Sequence, residues 1–241
     1  MPLKGLIIRD CYPKPAMREM SDNDILFDKR FEDVVRKQMK KERYKTQSDY
    51  RHIDCKKKPC YHFEIHMNCY VEGDNPAFLN YYKNIEDRLI KDGLAYSFSK
   101  EDFYIYQVCH HYNHNQGTGT GLRPLMDTYV YLKNNGLNFD YIDQEMKKLQ
   151  ISDFELLCRN LANKLFSNPE KFPKLDSQET EFFEKAMRTS AYGSVKPVLE
   201  KRYKDLLESN TSLIRYMFPP YKFFEERHIR FAKHKALLPY Y

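Results

Sequence analysis

Two aspartates, Asp22 and Asp24, stand one residue apart immediately before the apolar run Ile25-Leu26-Phe27. That run predicts a β-strand, and the two-residue period of a strand points both carboxylates to the same face. Two carboxylates held a few ångströms apart repel each other unless a cation lies between them. Hard divalent ions such as Mg²⁺ prefer oxygen ligands and leave coordination positions open for phosphate oxygens. The pair therefore predicts a metal site, although two aspartates at this spacing are also common on solvated turns.

A third acid lies on a later stretch in which polar and apolar residues alternate. His62, Glu64 and His66 would share one face of a strand there, because the residues between them are apolar. If this strand neighbours the one that Asp24 enters, Glu64 completes a site for two metal ions. In phosphoryl transfer, one such ion lowers the pKa of the attacking hydroxyl and the other holds the leaving group.

A triphosphate substrate also needs cationic and N–H donors, and three residues near the start of the chain could supply them. Gly5 follows Lys4 and opens a short predicted helix over residues 5–11, where backbone N–H groups could meet a phosphate. Arg18, four residues before Asp22, offers a planar guanidinium fork. We predict that Lys4, Gly5 and Arg18 contact phosphate.

The elements that must position these residues change character near residue 75. Before it, predicted strands at 23–27, 51–55 and 60–70 alternate with helical segments, one of which spans 29–42. After it, helices are predicted at 76–92, 100–115, 121–135, 140–149, 152–166, 177–189, 194–209 and 220–232. The sequence therefore predicts an α+β protein, with a small mixed-sheet module over residues 1–75 and a mostly helical module over residues 76–241.

The composition is typical of a globular protein and limits the classes of partner. Hydrophobic residues make up 41% and charged residues 31% of the chain. The net charge of +6 is dispersed, which suits a phosphate-bearing substrate better than a nucleic acid, whose binding proteins concentrate their basic residues. The sequence shows no CxxC pair, secretory signal or apolar run of membrane-spanning length. We therefore expect a cytoplasmic protein without a membrane partner, with its six cysteines reduced.

Short stretches spread along the chain match one recognisable pattern. The first are Leu3-Lys4-Gly5, Tyr12-Pro13-Lys14-Pro15, Arg18-Glu19-Met20-Ser21-Asp22-Asn23-Asp24-Ile25-Leu26 and Glu64-Ile65-His66. Later ones are Glu101-Asp102-Phe103, the pair His110 and His114, Gly119-Thr120-Gly121-Leu122-Arg123-Pro124-Leu125-Met126-Asp127 and Phe218-Pro219-Pro220. With these stretches the chain resembles the uncharacterised bacterial nucleotidyltransferases of the polymerase-β-like superfamily, in the group that has Leu-Lys-Gly in place of the commoner Gly-Ser.

The resemblance implies an enzyme that transfers NMP from an NTP, such as ATP, to a hydroxyl on a small molecule, a sugar or a protein. It implies two Mg²⁺ ions as cofactors, with Asp22, Asp24 and Glu64 as catalytic residues and metal ligands. The nucleotide and its metals would also be contacted by Lys4, Gly5, Arg18, Ser21, His66, His110, His114, Arg123 and Asp127. The resemblance does not name the acceptor, the preferred base or the oligomeric state.

Two departures from the family's pattern bear on activity. Glu64 stands where the wider superfamily usually has aspartate, and its longer side chain would alter the metal geometry. Family members also usually have more chain before Lys4-Gly5, including an element that seats this loop. The second departure favours an alternative, a catalytically inactive protein of nucleotidyltransferase fold with a binding or regulatory role.

Three further groups of residues admit other chemistry. His110, His114 and Asp127 are residue types that a histidine–aspartate phosphohydrolase uses, but the chain has no His-Asp dipeptide. We expect these residues and Arg123 either to face a cleft between the modules or to form an Arg–Asp pair that ties two helices together. The glycines within residues 117–121 lack the Lys-Ser or Lys-Thr of a phosphate loop and predict a flexible loop between helices.

A zinc site is the last possibility, and the sequence argues against it. The candidate ligands fit no familiar zinc spacing, and Lys56-Lys57-Lys58-Pro59 among them predicts an exposed hairpin turn. Those candidates are His52, Cys55, Cys60 and His62.

Overall fold

The structure is a computed structural model that describes residues 1–48, 51–117, 119–168 and 170–189. These residues fall into two compact units. One unit, the sheet unit, is Ser21–Val71; the other, the helical unit, combines Met1–Met20 with the described residues from Glu72 onward. The fold is α+β, with a mixed four-stranded sheet near the N-terminus and a mostly helical region after it, as the sequence predicts.

The α-helices are α1 (Gly5–Ile8), α2 (Glu32–Lys41), α3 (Pro76–Tyr81), α4 (Lys100–Gln116), α5 (Arg123–Asn134), α6 (Phe139–Leu149), α7 (Ser152–Phe166) and α8 (Ser177–Met187). The strands are β1 (Asn23–Leu26), β2 (Lys45–Ser48), β3 (His52–Lys57), β4 (Tyr61–His66), β5 (Leu89–Asp92) and β6 (Ala95–Phe98). Short 3-10 turns follow α1 and precede α2 and β5.

The four-stranded sheet of the sheet unit has the order β1-β4-β3-β2. β1 runs parallel to β4, whereas β3 is antiparallel to both β4 and β2. Alternation sorts the side chains by face, because successive residues of a strand point to opposite sides. Ile53, Cys55 and Ile65 are buried on one side, where they pack against Val35 of α2. The predicted alternation of β4 is therefore confirmed, and the other face of the sheet is left for polar residues.

Helix α2 contributes less apolar surface to the core than its sequence suggests. The spacing predicts a stripe formed by Phe31, Val34, Val35 and Met39. In the structure Val35 is buried and Met39 packs beside it, but Phe31 and Val34 are exposed. Phe31 lies before the helix, in a 3-10 turn, so it is out of phase with the helical stripe.

The helical unit is built on α4 to α8, and several of its helix ends follow the sequence closely. The Ser99 side chain accepts a hydrogen bond from the backbone N–H of Asp102, so Ser99 begins α4 as predicted. The interior includes a cluster in which Leu125 of α5 packs against Cys158, Leu161 and Ala162 of α7.

The predicted helix over residues 76–92 is wrong in its second half. Helix α3 ends at Tyr81, and β5 and β6 form a separate two-stranded antiparallel hairpin closed by Gly93 and Leu94. The predicted helices at 194–209 and 220–232 lie outside the described residues. Within the part of the chain that the structure describes, no helix has the length and apolar character that crossing a membrane requires.

Candidate functional site

Asp24 and Glu64 lie side by side on the polar face of the four-stranded sheet. The parallel pairing of β1 with β4 sets Asp24 directly opposite Glu64. Neighbouring residues in register point to the same face, so the two carboxylates project together. Asp24 is buried, with 6% of its surface exposed, whereas Glu64 is partly buried. Two of the three predicted acids thus meet as the sequence analysis expects.

His66 joins this pair two residues after Glu64. Its Nε2 lies 2.9 Å from Asp24 Oδ1, within hydrogen-bond distance, and 3.7 Å from Glu64 Oε2. The backbone fixes the position of His66, because its carbonyl accepts a hydrogen bond from the N–H of Phe27 just after β1. The carboxylates and the imidazole therefore form one group, which we call the acid–histidine group (Asp24, Glu64 and His66).

The donor set of this group fits a divalent metal. One ligand atom from each of the three residues lies within 4.8 Å of the other two. Metal bonds to carboxylate oxygen or imidazole nitrogen are about 2.0–2.2 Å long, so ligand atoms around a single ion lie about 3–4 Å apart. Modest side-chain rotation is enough to bring these three atoms onto one ion.

More titratable side chains continue across the same face onto β3. His52 Nε2 lies 3.8 Å from Glu64 Oε1, and the rings of His52 and His66 are 5.3 Å apart. Asp54 accepts hydrogen bonds at 2.7 Å from Lys56 and at 2.5 Å from His62. Burial acts to raise the pKa of Asp54, but the hydrogen bonds and charges of Lys56 and His62 outweigh it and lower that pKa.

Asp22 and Ser21 lie just before β1, outside the acid–histidine group. Asp22 is partly buried and Ser21 is exposed. The Ser21 carbonyl lies 3.3 Å from Nδ1 of His62, which connects this entry segment to β4. The strand begins one residue after Asp22, so the two-residue period of β1 does not fix the direction of the Asp22 side chain. Its role as a metal ligand stays a prediction.

In the helical unit, two predicted site residues, Arg18 and Asp127, come together beside Tyr12. Arg18 donates to Asp127 through two atoms, Nε to Oδ1 at 2.9 Å and Nη2 to Oδ2 at 2.8 Å. Tyr12 donates its hydroxyl to Oδ1 of the same carboxylate at 2.7 Å. Burial and the Asp127 carboxylate raise the pKa of Tyr12, while the charges of Arg18 and Arg123 oppose the rise.

Asp127 is thus held by a buried two-point ion pair and a phenol, with the Arg18 and Asp127 side chains 10% and 6% exposed. An Arg–Asp pair was one of the two roles expected for Asp127, but the arginine is Arg18 and not Arg123. These bonds occupy both oxygens of Asp127, which disfavours a histidine–aspartate phosphohydrolase.

Gly5 is required where the chain passes beside this ion pair. A Cβ atom at position 5 would lie 2.3 Å from Nη1 of Arg18, closer than any real contact. Lys4, the residue before it, has a φ of 46°, which a residue with a side chain rarely adopts. The Lys4-Gly5 segment is therefore shaped by tertiary contacts, and the helix that it opens, α1, spans four residues.

His110 and His114 lie one turn apart on α4, as predicted. Their Nε2 atoms are 3.0 Å apart. Between them His111 is buried against Phe154 and Phe182. Burial, helped by the charges of His114 and Lys185, lowers the pKa of His111 to about 3. His111 is therefore neutral at physiological pH and belongs to the core of the helical unit.

The glycine loop packs against Thr189, and two of the zinc candidates, Cys55 and Cys60, differ in burial. Gly119 is buried against the Thr189 side chain, and the N–H of Gly121 donates to Thr189 Oγ1 at 3.0 Å. Cys55 is in the core of the sheet unit, whereas Cys60 is exposed in the β3–β4 turn.

The sequence analysis missed Tyr12 and His52 as neighbours of the predicted residues. Tyr12 lies in one of the stretches that match the family pattern, but nothing in the sequence pairs it with Asp127, which is 115 residues away. His52 could have been found, since polar residues alternate with Ile53 and Cys55 along β3 in the same way as along β4.

Comparison with known proteins identifies the family. A family model described as an uncharacterised nucleotidyltransferase matches residues 1–167, about two thirds of the chain. The chain therefore belongs to this nucleotidyltransferase family, and the resemblance stated from the sequence is confirmed. The match contains all of the predicted site residues; Phe218-Pro219-Pro220 lies beyond both the match and the described residues. No curated protein and no solved structure matches the chain.

Proposed function

We propose that this protein is a metal-dependent nucleotidyltransferase that moves NMP from an NTP to a hydroxyl acceptor. The observation that carries the proposal is the pairing of Asp24 with Glu64 on adjacent parallel strands, in a chain that belongs to a nucleotidyltransferase family. The separation of the ligand atoms of these acids and His66, at most 4.8 Å, supports a divalent cofactor there.

The reaction forms one phosphoester bond and breaks one phosphoanhydride bond. The acceptor oxygen forms a bond to the α-phosphorus, the bond from that phosphorus to the bridging oxygen of the β-phosphate breaks, and pyrophosphate leaves. The acceptor's hydroxyl proton passes to solvent. A bound divalent metal, which the sequence analysis expects to be Mg²⁺, would neutralise charge on the phosphates and lower the pKa of the attacking hydroxyl.

The residues of the sheet unit hold and orient the metal ligands in this proposal. Asp24 and Glu64 provide carboxylate oxygens, and Asp22 adds a third carboxylate from the segment that enters β1. Burial of Asp24 supports a bound cation, because a buried carboxylate is costly unless a partner compensates its charge. In the described structure the imidazole of His66 lies within hydrogen-bond distance of Asp24.

The residues predicted to bind the nucleotide in the helical unit, except Asp127, keep that role as part of the proposal. Arg18 is held by Asp127 through Nε and Nη2, and its Nη1 group lies beside Gly5. In the proposal the guanidinium held in this way contacts a phosphate. Asp127 and Tyr12 are then positioning residues for Arg18, and they do not touch the nucleotide. Lys4, His110, His114 and Arg123 are proposed as further contacts.

The experiment measures NTP binding and pyrophosphate release in the presence of Mg²⁺ or Mn²⁺, for each of the four common NTPs. Asp24→Asn is the test variant, since asparagine keeps the size and the acceptor oxygen for His66. Asp33→Asn is the matched control, because Asp33 is an exposed residue of α2 in the same unit and the charge change is the same. We expect Asp24→Asn to weaken metal-dependent NTP binding about 10- to 100-fold and Asp33→Asn to leave it unchanged.

Equal binding by the wild type and Asp24→Asn would overturn the site assignment. Binding with no pyrophosphate release, across a panel of small-molecule, sugar and protein hydroxyl acceptors, would replace the enzyme with the binding or regulatory alternative. Pyrophosphate release that requires one class of acceptor would identify that class.

A further inference from the structure

Nitrogen donors surround Glu64 on the polar face of the sheet. His66 Nε2 lies 3.7 Å from Glu64 Oε2 on one side, and His52 Nε2 lies 3.8 Å from Glu64 Oε1 on the other. The same His66 nitrogen is 2.9 Å from Asp24 Oδ1. A site in which nitrogen and oxygen donors are this close together differs in chemistry from a site made of carboxylates alone.

The type of donor governs which ion a site prefers. Carboxylates, carbonyls and water suit Mg²⁺, Ca²⁺ and Mn²⁺, whereas imidazole suits transition metals. Mg²⁺ binds nitrogen poorly, keeps several waters and demands near-ideal octahedral oxygen geometry. Mn²⁺ belongs with the oxygen-preferring ions and is also a transition metal, so it can accept an imidazole beside two carboxylates.

We propose that His66 Nε2 is a direct metal ligand beside Asp24 and Glu64, and that the centre therefore prefers Mn²⁺ to Mg²⁺. This inference rests on the metal site of the proposed function and adds to it a nitrogen ligand and a preference between Mn²⁺ and Mg²⁺. It changes the role of His66 from the nucleotide contact predicted from the sequence to a metal ligand.

The backbone supports this role because it holds His66 between two neighbouring strands. His66 pairs with Leu26 of β1 on one side and with His52 of β3 on the other. The His66 side chain is 14% exposed, so its ring has little freedom to turn to solvent. An ion between Nε2 of His66 and Oδ1 of Asp24 would replace their hydrogen bond, and two atoms 2.9 Å apart match adjacent ligands of one ion.

His52 is a positioning residue in this arrangement. Its Nε2 is on the Glu64 Oε1 side, away from the atom that faces His66. A hydrogen bond from His52 would orient the Glu64 carboxylate, as outer partners of metal ligands commonly do. The alternative is that His66 only orients Asp24 and that the ion takes oxygen ligands alone.

The test adds Mn²⁺ to the whole protein without nucleotide and uses electron paramagnetic resonance. The free-ion signal gives the affinity, and electron spin-echo envelope modulation detects a ¹⁴N nucleus bonded to Mn²⁺. We expect wild-type protein to show ¹⁴N modulation and His66→Gln to lose it. We also expect His66→Gln to weaken Mn²⁺ binding by about tenfold or more. Displacement of Mn²⁺ by Mg²⁺ should become correspondingly easier in that variant.

Two histidine variants on the same face serve as matched controls. His62→Gln alters a histidine of the same strand that bonds to Asp54, and it should keep the ¹⁴N modulation. His52→Gln should also keep it, with weaker binding through Glu64. If His66→Gln fails to fold, wild-type protein grown with ¹⁵N-histidine replaces it, and the modulation must change to that of ¹⁵N.

The outcomes separate this inference from the proposed function. Mn²⁺ binding that needs Asp24 but shows no ¹⁴N modulation would overturn the histidine ligand and leave the proposed function standing. Modulation that persists in His66→Gln and disappears in His52→Gln would assign the nitrogen to His52 and likewise overturn the proposal. Wild-type protein that binds no Mn²⁺ at all would overturn both the histidine ligand and the metal site.

Discussion

Replacing Gly5 with alanine tests whether this glycine exists to make room for Arg18. The new Cβ atom would lie 2.3 Å from Arg18 Nη1 and 3.2 Å from both Arg18 Cζ and Met20 Cε. Carbon and its packed neighbours are separated by about 3.5 Å or more, so the guanidinium must move by about 1 Å. The backbone of Gly5 is itself helical, and alanine is favoured in helices, so the clash is the main effect of the change.

The magnitude follows from the bonds that this movement breaks. Arg18 and Asp127 are joined at 2.9 Å and 2.8 Å, and a shift of about 1 Å would carry both contacts beyond hydrogen-bond distance. Removing one partner of a buried ion pair costs about 3–5 kcal/mol. Gly5→Ala leaves Arg18 present and able to relax, so we expect a smaller loss in the free energy of unfolding, about 1–3 kcal/mol.

The assay is urea unfolding of four proteins in a double-mutant cycle. The second background is Arg18→Lys, which keeps the positive charge but has no Nη1 atom to meet the new Cβ. Gly5→Ala should cost less than about 0.5 kcal/mol there, which gives a coupling energy of about 1–3 kcal/mol. Gly136→Ala is the control glycine, because a Cβ there meets open space, and we expect a change within about 0.5 kcal/mol.

Two results would refute this reasoning. One is an equal loss of stability on Gly5→Ala in the wild-type and Arg18→Lys backgrounds, which would mean that the loss comes from the backbone of α1 and not from Arg18. The other is a loss in the wild-type background below about 0.5 kcal/mol, which would mean that Arg18 moves without weakening its pair with Asp127.

Two more predictions concern the helical unit. Tyr12→Phe removes the hydroxyl that donates to Asp127 at 2.7 Å, and urea unfolding should show a loss of about 1–2 kcal/mol; an unchanged midpoint would contradict the role of Tyr12. Burial lowers the pKa of His111 to about 3, so the unfolded chain takes up a proton below its ordinary pKa of 6.5 while the folded protein stays neutral. The stability that neutral His111 provides is therefore complete above pH 6.5 and is lost as the pH falls from 6.5 towards 3, by up to about 5 kcal/mol. His111→Phe should reduce this fall in the free energy of unfolding between pH 7 and pH 4, and an identical pH dependence in variant and wild type would contradict the burial of a neutral imidazole.

Much of the local structure could be predicted because it depends on residues that are close along the chain. The alternation from His62 to Met67 predicted the two faces of β4, since the strand period is a property of the backbone itself. Helix α7 was predicted at 152–166, the bounds that it has in the structure. Ser99 was predicted to begin α4 from its side chain and the helical pattern after it.

The secondary structure was predicted wrongly where the conformation of a segment depends on the strand with which it pairs. Residues 89–92 were assigned to a helix, but they pair with residues 95–98 as a hairpin. Strand β2 was not predicted, because its residues Lys45–Ser48 are polar and it becomes a strand through its hydrogen bonds to β3. A short polar segment carries little periodic signal, so its pairing partner determines its conformation.

Part of the candidate site could also be predicted from the sequence, and part of it depends on how the strands pair. The sequence by itself determined that Glu64 and His66 would lie on the polar face of β4, because alternation fixes the face of each side chain. Only the tertiary structure decided that β1 pairs in parallel with β4, which brings His66 to 2.9 Å from Asp24. Which strands pair, and in which direction, depends on hydrogen bonds and packing between segments far apart in the chain, and the sequence of a single strand does not specify its partner.

The ion pair between Arg18 and Asp127 also shows the difference between what the sequence predicts and what the tertiary structure determines. The sequence selected Gly5, Arg18 and Asp127 as residues of one nucleotide site. The structure decided that Asp127 holds Arg18, 109 residues away, and that Gly5 leaves space for the guanidinium. Residue type sets which partners a side chain can accept, but the packing of distant segments sets which partner it meets, and only the folded chain brings those segments together.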